Sequence, residues 1–115
     1  ADTIMVSHIT VTSVDKLSSS LSYEIITRKL RNELGYNGVI ITDSMAMGAV
    51  ADSYTSDIAA VMAVKAGADI ILMPENFEKA FNGVLNAVKS GEISISRIEE
   101  SAERVLTLKA KYKII

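Results

Sequence analysis

The 115-residue sequence predicts an α/β fold built on a parallel sheet. Residues 38–42 (GVIIT) and 68–73 (ADIILM) are near-continuous apolar runs, the character of strands covered on both faces. They alternate with segments whose apolar residues recur at helical spacing, the order of βαβ units joined by right-handed crossovers. His8, Asp43 and Pro74 stand at three equivalent strand ends, 35 and 31 residues apart. A (β/α)8 barrel of roughly 250 residues repeats every 31 or so, and doubly wound sheets share that spacing.

In chain order, residues 3–7 (TIMVS) form a short β-leaning run ending at His8. Residues 11–20 are rich in Ser and Thr and read as a loop. Ser22 suits the N-cap of a helix to about residue 34, with Ile25, Ile26, Leu30 and Leu34 on one face and Gly35 past its end. After the strand 38–42, residues 43–56 are irregular. A second helix covers 57–66 and stops at Gly67. The strand 68–73 is ended by Pro74. Glu75 or Asn76 opens a third helix to about residue 89, and Ser90-Gly91 is a turn. Ser94 or Ser96 caps the last helix; Ser96 with Glu99 fits a capping box. The order is β-α-β-α-β-α-α.

Composition excludes several function classes. The apolar fraction is 49%, the charged fraction 23% and the net charge −2, which fits a packed domain rather than a disordered chain. There is no basic excess of the kind a nucleic-acid binder carries, and the Lys109, Lys111, Lys113 cluster is short and mixed. With no Cys and one His, disulfide scaffolds, thiolate zinc sites and multi-His metal sites are out, and no cofactor motif such as G-x-G-x-x-G is present. No apolar run reaches the roughly 18 residues of a membrane helix. The chain opens ADTIMVSH, without an initiator Met or a leader pattern, and reads as cut from something longer.

Asp43 is the first candidate for chemistry. A carboxylate directly after GVIIT stands at the carboxyl end of a buried parallel strand, where α/β sheets and barrels bind ligands. It fits the capping of the following turn equally well. His8 ends the first strand in the same way, and a lone His is more often a structural hydrogen-bonding residue. Met45 and Met47 suit either a pocket wall or core filling. Glu75 and Asn76 read as helix caps, and Glu99, Glu100, Glu103 and Arg104 as a solvated helix face with helical ion pairs.

The segment GVIITDSMAMGAV (residues 38–50) resembles the nucleophile segment of family 3 glycoside hydrolases, in the β-N-acetylhexosaminidase branch. That pattern is a strand, Thr or Ser, the nucleophilic Asp, then a Met-containing loop before Gly; here it is Thr42, Asp43, Met45, Met47 and Gly48. The β-glucosidase branch usually has Trp after the nucleophile, where this chain has Ser44. IMVSHI, LRNELGYNGVIITD, AVKAGADIILMP and ISRIEESAERVLTLKAKY resemble further family units in the same order, so the likeness covers nearly the whole chain.

The resemblance implies a fold and an activity. Residues 1–115 would be the C-terminal part of a catalytic (β/α)8 TIM barrel, its last three strands and closing helices. The parent would be a retaining hydrolase releasing terminal β-linked N-acetylhexosamine, without a cofactor, through a glycosyl-enzyme on Asp43. His8, Ser44 and Met47 would meet the sugar. The family's acid/base motif, Lys-His-x-Pro-Gly-His-Gly, and its sugar-gripping Arg and Lys are absent. General acid help contributes about 10²–10⁴-fold, so the isolated chain is expected to be inactive. The compartment stays open between bacterial cytoplasm and secretion. The alternative is a self-standing α/β binding or regulatory domain. Alternation places Ile4, Val6, Val39, Ile41, Ile70 and Leu72 on one sheet face, and Met5, Ile40, Ile71 and Met73 on the other. Helices cover only the outer face, so the inner one is expected to drive self-association, or to be covered by a helix swung across it.

Overall fold

The computed structural model describes residues 1–115. Strands β1 (Thr3–Val6) and β2 (Val39–Thr42) pair in parallel. A 3₁₀ turn, Ser19–Leu21, precedes helix α1 (Glu24–Glu33). After β2 come a short helix α2 (Gly48–Ala51), α3 (Ser56–Ala66), α4 (Phe77–Lys89) and α5 (Ile95–Lys111). No helix is long and apolar enough to cross a membrane.

The third strand differs from expectation. Residues 68–73 make one parallel bridge, Ile41 to Ile70, on the far edge of β2 rather than a full ladder. The Asp69 and Ile70 N–H groups both donate to Ile40 O, and Thr42 N–H donates to Ile70 O. Then the Leu72 N–H donates to the Thr42 side-chain hydroxyl (3.1 Å) instead of continuing the backbone pattern. Met73 takes φ 46°, and Pro74 follows. The side chain of a fully buried Thr42 thus interrupts the ladder. The segment still flanks β2, which makes β2 central.

The face assignment also changes. Register pairs Ile4 with Ile40 and Met5 with Ile41, so partnered side chains share a face. Ile4, Val6 and Ile40 join Leu21, Ile26, Met45, Val50, Ala59 and Ala63 in the helix-side core. Met5, Ile41 and Ile70 lie on the opposite face, where Met5 is 55% exposed. Alternation was sound within each strand; the relative register of strands was not available from it.

Helix α1 is helical but wound wide, with Leu34 N–H reaching back to Lys29 O, an i→i+5 bond. Ser22 caps it, its hydroxyl accepting from Ile25 N–H at 3.2 Å. The helix ends before Leu34, which faces solvent instead of joining the apolar face. Helix α3 packs chiefly on α4 and carries Ala59, Ala63 and Ala66 inward. Gly67 ends it at φ 119°, where a Cβ would meet Thr27 and Ile26, so only glycine turns the chain here without strain. Asn76 caps α4, accepting from Lys79 N–H. Ser94, not Ser96, caps α5 by accepting from Arg97 N–H at 3.1 Å; Ser96 lies inside the first turn and bonds the Ser94 hydroxyl.

At the starting end of the strands α5 holds a buried charge cluster that the sequence reading missed. Asp69, with no side-chain exposure, binds Arg31 (2.6 Å) and Arg104 (2.7 Å). The Ser101 hydroxyl and Ile40 N–H also donate to it. Arg97 donates to Val64 O, Ala68 O and Ser101 Oγ, tying α5 to the exit of α3. Arg104, expected on a solvated face, is therefore drawn inward. Burial pushes the Asp69 carboxyl up. The Ser101 and Ile40 bonds and the two guanidinium charges together outweigh it and hold it below the usual carboxylate range. Burial pulls Arg97 down from its ordinary value, against the attraction of Asp69.

Candidate active site

Asp43 follows the last residue of β2 directly, at the opposite end of the sheet from Asp69. Its backbone is pinned on both sides of the central strand. Asp43 N–H donates to Val6 O (2.9 Å), and Met45 N–H donates to Leu72 O (2.9 Å). The carboxylate is half-buried and accepts from Ser44 N–H at 2.8 Å. It joins none of the ion pairs. An ionised carboxylate has about four acceptor positions, so most of this one's capacity is left for a ligand or water.

The four sequence candidates separate. Asp43 and Ser44 are adjacent at the strand end, and Met47 is 46% exposed in the following loop. Met45 is buried in the core at 3% exposure, so the two loop methionines do different work. His8 is buried, and both its ring nitrogens are engaged inside the protein. Nδ1 lies 2.6 Å from Ser20 Oγ and Nε2 lies 2.8 Å from Ser44 O. No ring nitrogen is left for a sugar hydroxyl, which alters the part expected of His8. Thr42 also belongs to this end, since its hydroxyl sets how the third segment leaves β2. The signal was in the sequence, as the residue before the aspartate, but its bond to Leu72 depends on a register that periodicity does not fix.

Asp43 lies outside the four main hollows of the chain. One hollow, about 790 Å³, lies among α3, α4 and the Asp15–Tyr23 region, lined by Leu21, Ile58, Met62 and Asn86. A hollow of about 420 Å³ at the strand starts is lined by Val39, Arg104 and Leu108. Neither includes Asp43. What this site offers is a rigidly mounted carboxylate at the rim of an open sheet end.

Known proteins place the chain. Residues 1–108 match the glycosyl hydrolase family 3 N terminal domain. A β-hexosaminidase A from Pseudoalteromonas piscicida is 31% identical over 102 residues, covering 81% of this chain and 17% of that protein. Among solved structures, a family 3 β-N-acetylglucosaminidase from Paenibacillus sp. str. FPU-7 superposes with a TM-score of 0.91 at 42% identity, over 95% of this chain and 22% of that one. The β-N-acetylglucosaminidase from Thermotoga maritima superposes with a TM-score of 0.89 at 28% identity, over 94% and 25%. This chain thus spans about a quarter or less of these proteins. On the match across residues 1–108, the chain belongs to glycosyl hydrolase family 3.

Proposed function

We propose that this chain is the nucleophile-bearing part of a retaining family 3 hydrolase that releases terminal β-linked N-acetylglucosamine, with Asp43 as nucleophile. The observation that carries the reading is the position of Asp43. It is a half-buried carboxylate outside every ion pair, fixed at the carboxyl end of a central parallel strand. β-N-acetylglucosaminidases among the similar structures support the choice of sugar.

In this mechanism the Asp43 carboxylate attacks the anomeric carbon while an acid outside the chain protonates the departing oxygen. The C–O bond to the leaving group breaks as the bond to Asp43 Oδ forms. Water then adds to the glycosyl-enzyme, frees the sugar and returns the carboxylate. Ser44 and Met47, beside Asp43, contact the sugar. The strands continue a (β/α)8 barrel completed by segments outside residues 1–115. The isolated chain lacks the acid and is inactive on nitrophenyl N-acetylglucosaminide. Its open face around Met5, Ile41 and Ile70 makes it self-associate, and light scattering should find a species larger than a monomer; Met5→Lys should reduce it.

The decisive experiment uses the complete enzyme that carries this chain. A 5-fluoro N-acetylglucosaminyl fluoride should trap a glycosyl-enzyme, and peptide mass spectrometry should place the sugar on Asp43. A label on another residue would overturn the assignment.

A further inference from the structure

The geometry points to His8 as the positioning residue of the nucleophile, acting through the Ser44 peptide rather than by touching the sugar. This inference rests on the reading of Asp43 as the nucleophile. A carbonyl oxygen only accepts, so the 2.8 Å contact to Ser44 O requires the proton on Nε2. In the neutral ring Nδ1 then accepts, and the Ser20 hydroxyl donates to it at 2.6 Å. The Ser44 N–H in turn donates to Asp43 Oδ1 at 2.8 Å. A continuous run of donors thus leads from Ser20 through His8 and Ser44 to the carboxylate.

Its place in the backbone explains why it matters. The amides on either side are held by strands, Asp43 N–H by Val6 O and Met45 N–H by Leu72 O. The Ser44 carbonyl accepts from His8 Nε2–H at 2.8 Å and, more loosely, from Met47 N–H at 3.2 Å, so His8 is its shorter tie and the only one from a distant segment. Without that bond the 44–45 peptide keeps only its Met45 N–H and Met47 N–H ties, and the tilt that aims Ser44 N–H at Oδ1 is less tightly set. The anchor is itself rigid. Ser20 is fully buried and its N–H donates to Ser7 O, while Ser19 donates to Ile9 O through both its N–H and its hydroxyl. The turn that carries Ser20 is therefore stitched to the exit of β1, and His8 spans from it to the end of β2.

A carboxylate that must meet a carbon along one line is sensitive to such rotation, and a misplacement of about 1 Å costs on the order of 10²-fold. The test is the rate of glycosyl-enzyme formation with the 5-fluoro fluoride, together with kcat and KM, in the complete enzyme. His8→Ala should lower the labelling rate and kcat on the order of 10²-fold with KM nearly unchanged, since the ring does not touch sugar. His8→Gln, whose amide nitrogen reaches the Nε2 position, should recover part of the rate. Ser20→Ala, which frees the ring at Nδ1, should lose less than His8→Ala. If His8→Ala does not fold, the Gln and Ser20 variants carry the comparison. Labelling as fast as the native enzyme in these variants would overturn the inference. So would equal losses in His8→Ala and His8→Gln that track melting temperature alone. Asp43→Asn separates the two readings: if it still labels, the nucleophile assignment and this inference fall together.

Discussion

Asp43 and Asp69 are the same residue type at opposite ends of one sheet, and their surroundings could hardly differ more. Asp69 sits where the third segment begins, its charge taken up by Arg31 and Arg104 and its oxygens by Ser101 and Ile40. Asp43 sits where β2 ends and accepts from its neighbour's N–H. One carboxylate is spent on holding helices to strands; the other is held in place and left open. In parallel α/β folds the strand starts serve stability and the strand ends serve chemistry. Here that division is visible in two aspartates 26 residues apart in the chain.

The sharpest way to break the comparison is to exchange the two losses. In the complete enzyme, Asp43→Asn should lower turnover on the order of 10⁴-fold or more, the scale on which removal of a reacting group is felt. The fold should stay within about 0.5 kcal/mol, because Asn Oδ1 still accepts from Ser44 N–H. Assay and thermal melting together check it. Asp69→Ala should do the reverse, lowering stability by about 3–5 kcal/mol through uncompensated buried guanidinium groups, as read by urea unfolding.

Acid sharpens the same contrast. The folded Asp69 carboxyl lies below its unfolded range, so its contribution is present above the unfolded pKa, about 3.9, and is lost as pH falls through the folded one. The stability gap between the native protein and Asp69→Asn should therefore be full at neutral pH and narrow below about pH 4. A gap that widens in acid would contradict the ion-pair account.

Smaller effects test what delivers each element to the Asp69 end. Gly67→Ala forces a positive φ and a contact with Thr27, and should cost about 1–3 kcal/mol in thermal unfolding. Ser94→Ala should cost about 1 kcal/mol, because Ser94 caps the helix that supplies Arg97, Ser101 and Arg104. Ser96→Ala, within the first turn, should cost less.

Much of this was legible beforehand, for local reasons. GVIIT followed by Asp43 announces a buried strand with a carboxylate at its end, and Gly67 and Asn76 are placed by rules that concern only near neighbours. The rest depends on contacts between distant segments. Nothing near Asp69 in the chain says that Arg31, 38 residues earlier, and Arg104, 35 later, will converge on it. The strand 68–73 reads as regular because its apolar pattern is regular; its ladder stops at a hydroxyl on another strand. His8 reads more readily as a structural residue than as a ligand, but what it holds together is settled only when both nitrogens have named partners.

The Thr42 hydroxyl carries a consequence for anyone redesigning this region. Leu72 N–H has given up a backbone acceptor for a side chain, so position 42 holds a grammatical role: whatever stands before the aspartate must speak as an oxygen. Valine would match threonine in volume and leave a half-buried amide without its partner, at about 1 kcal/mol, while serine would keep the sentence intact. The admissible vocabulary at that position is thus two letters wide, and it is written by the neighbouring strand rather than by the substrate.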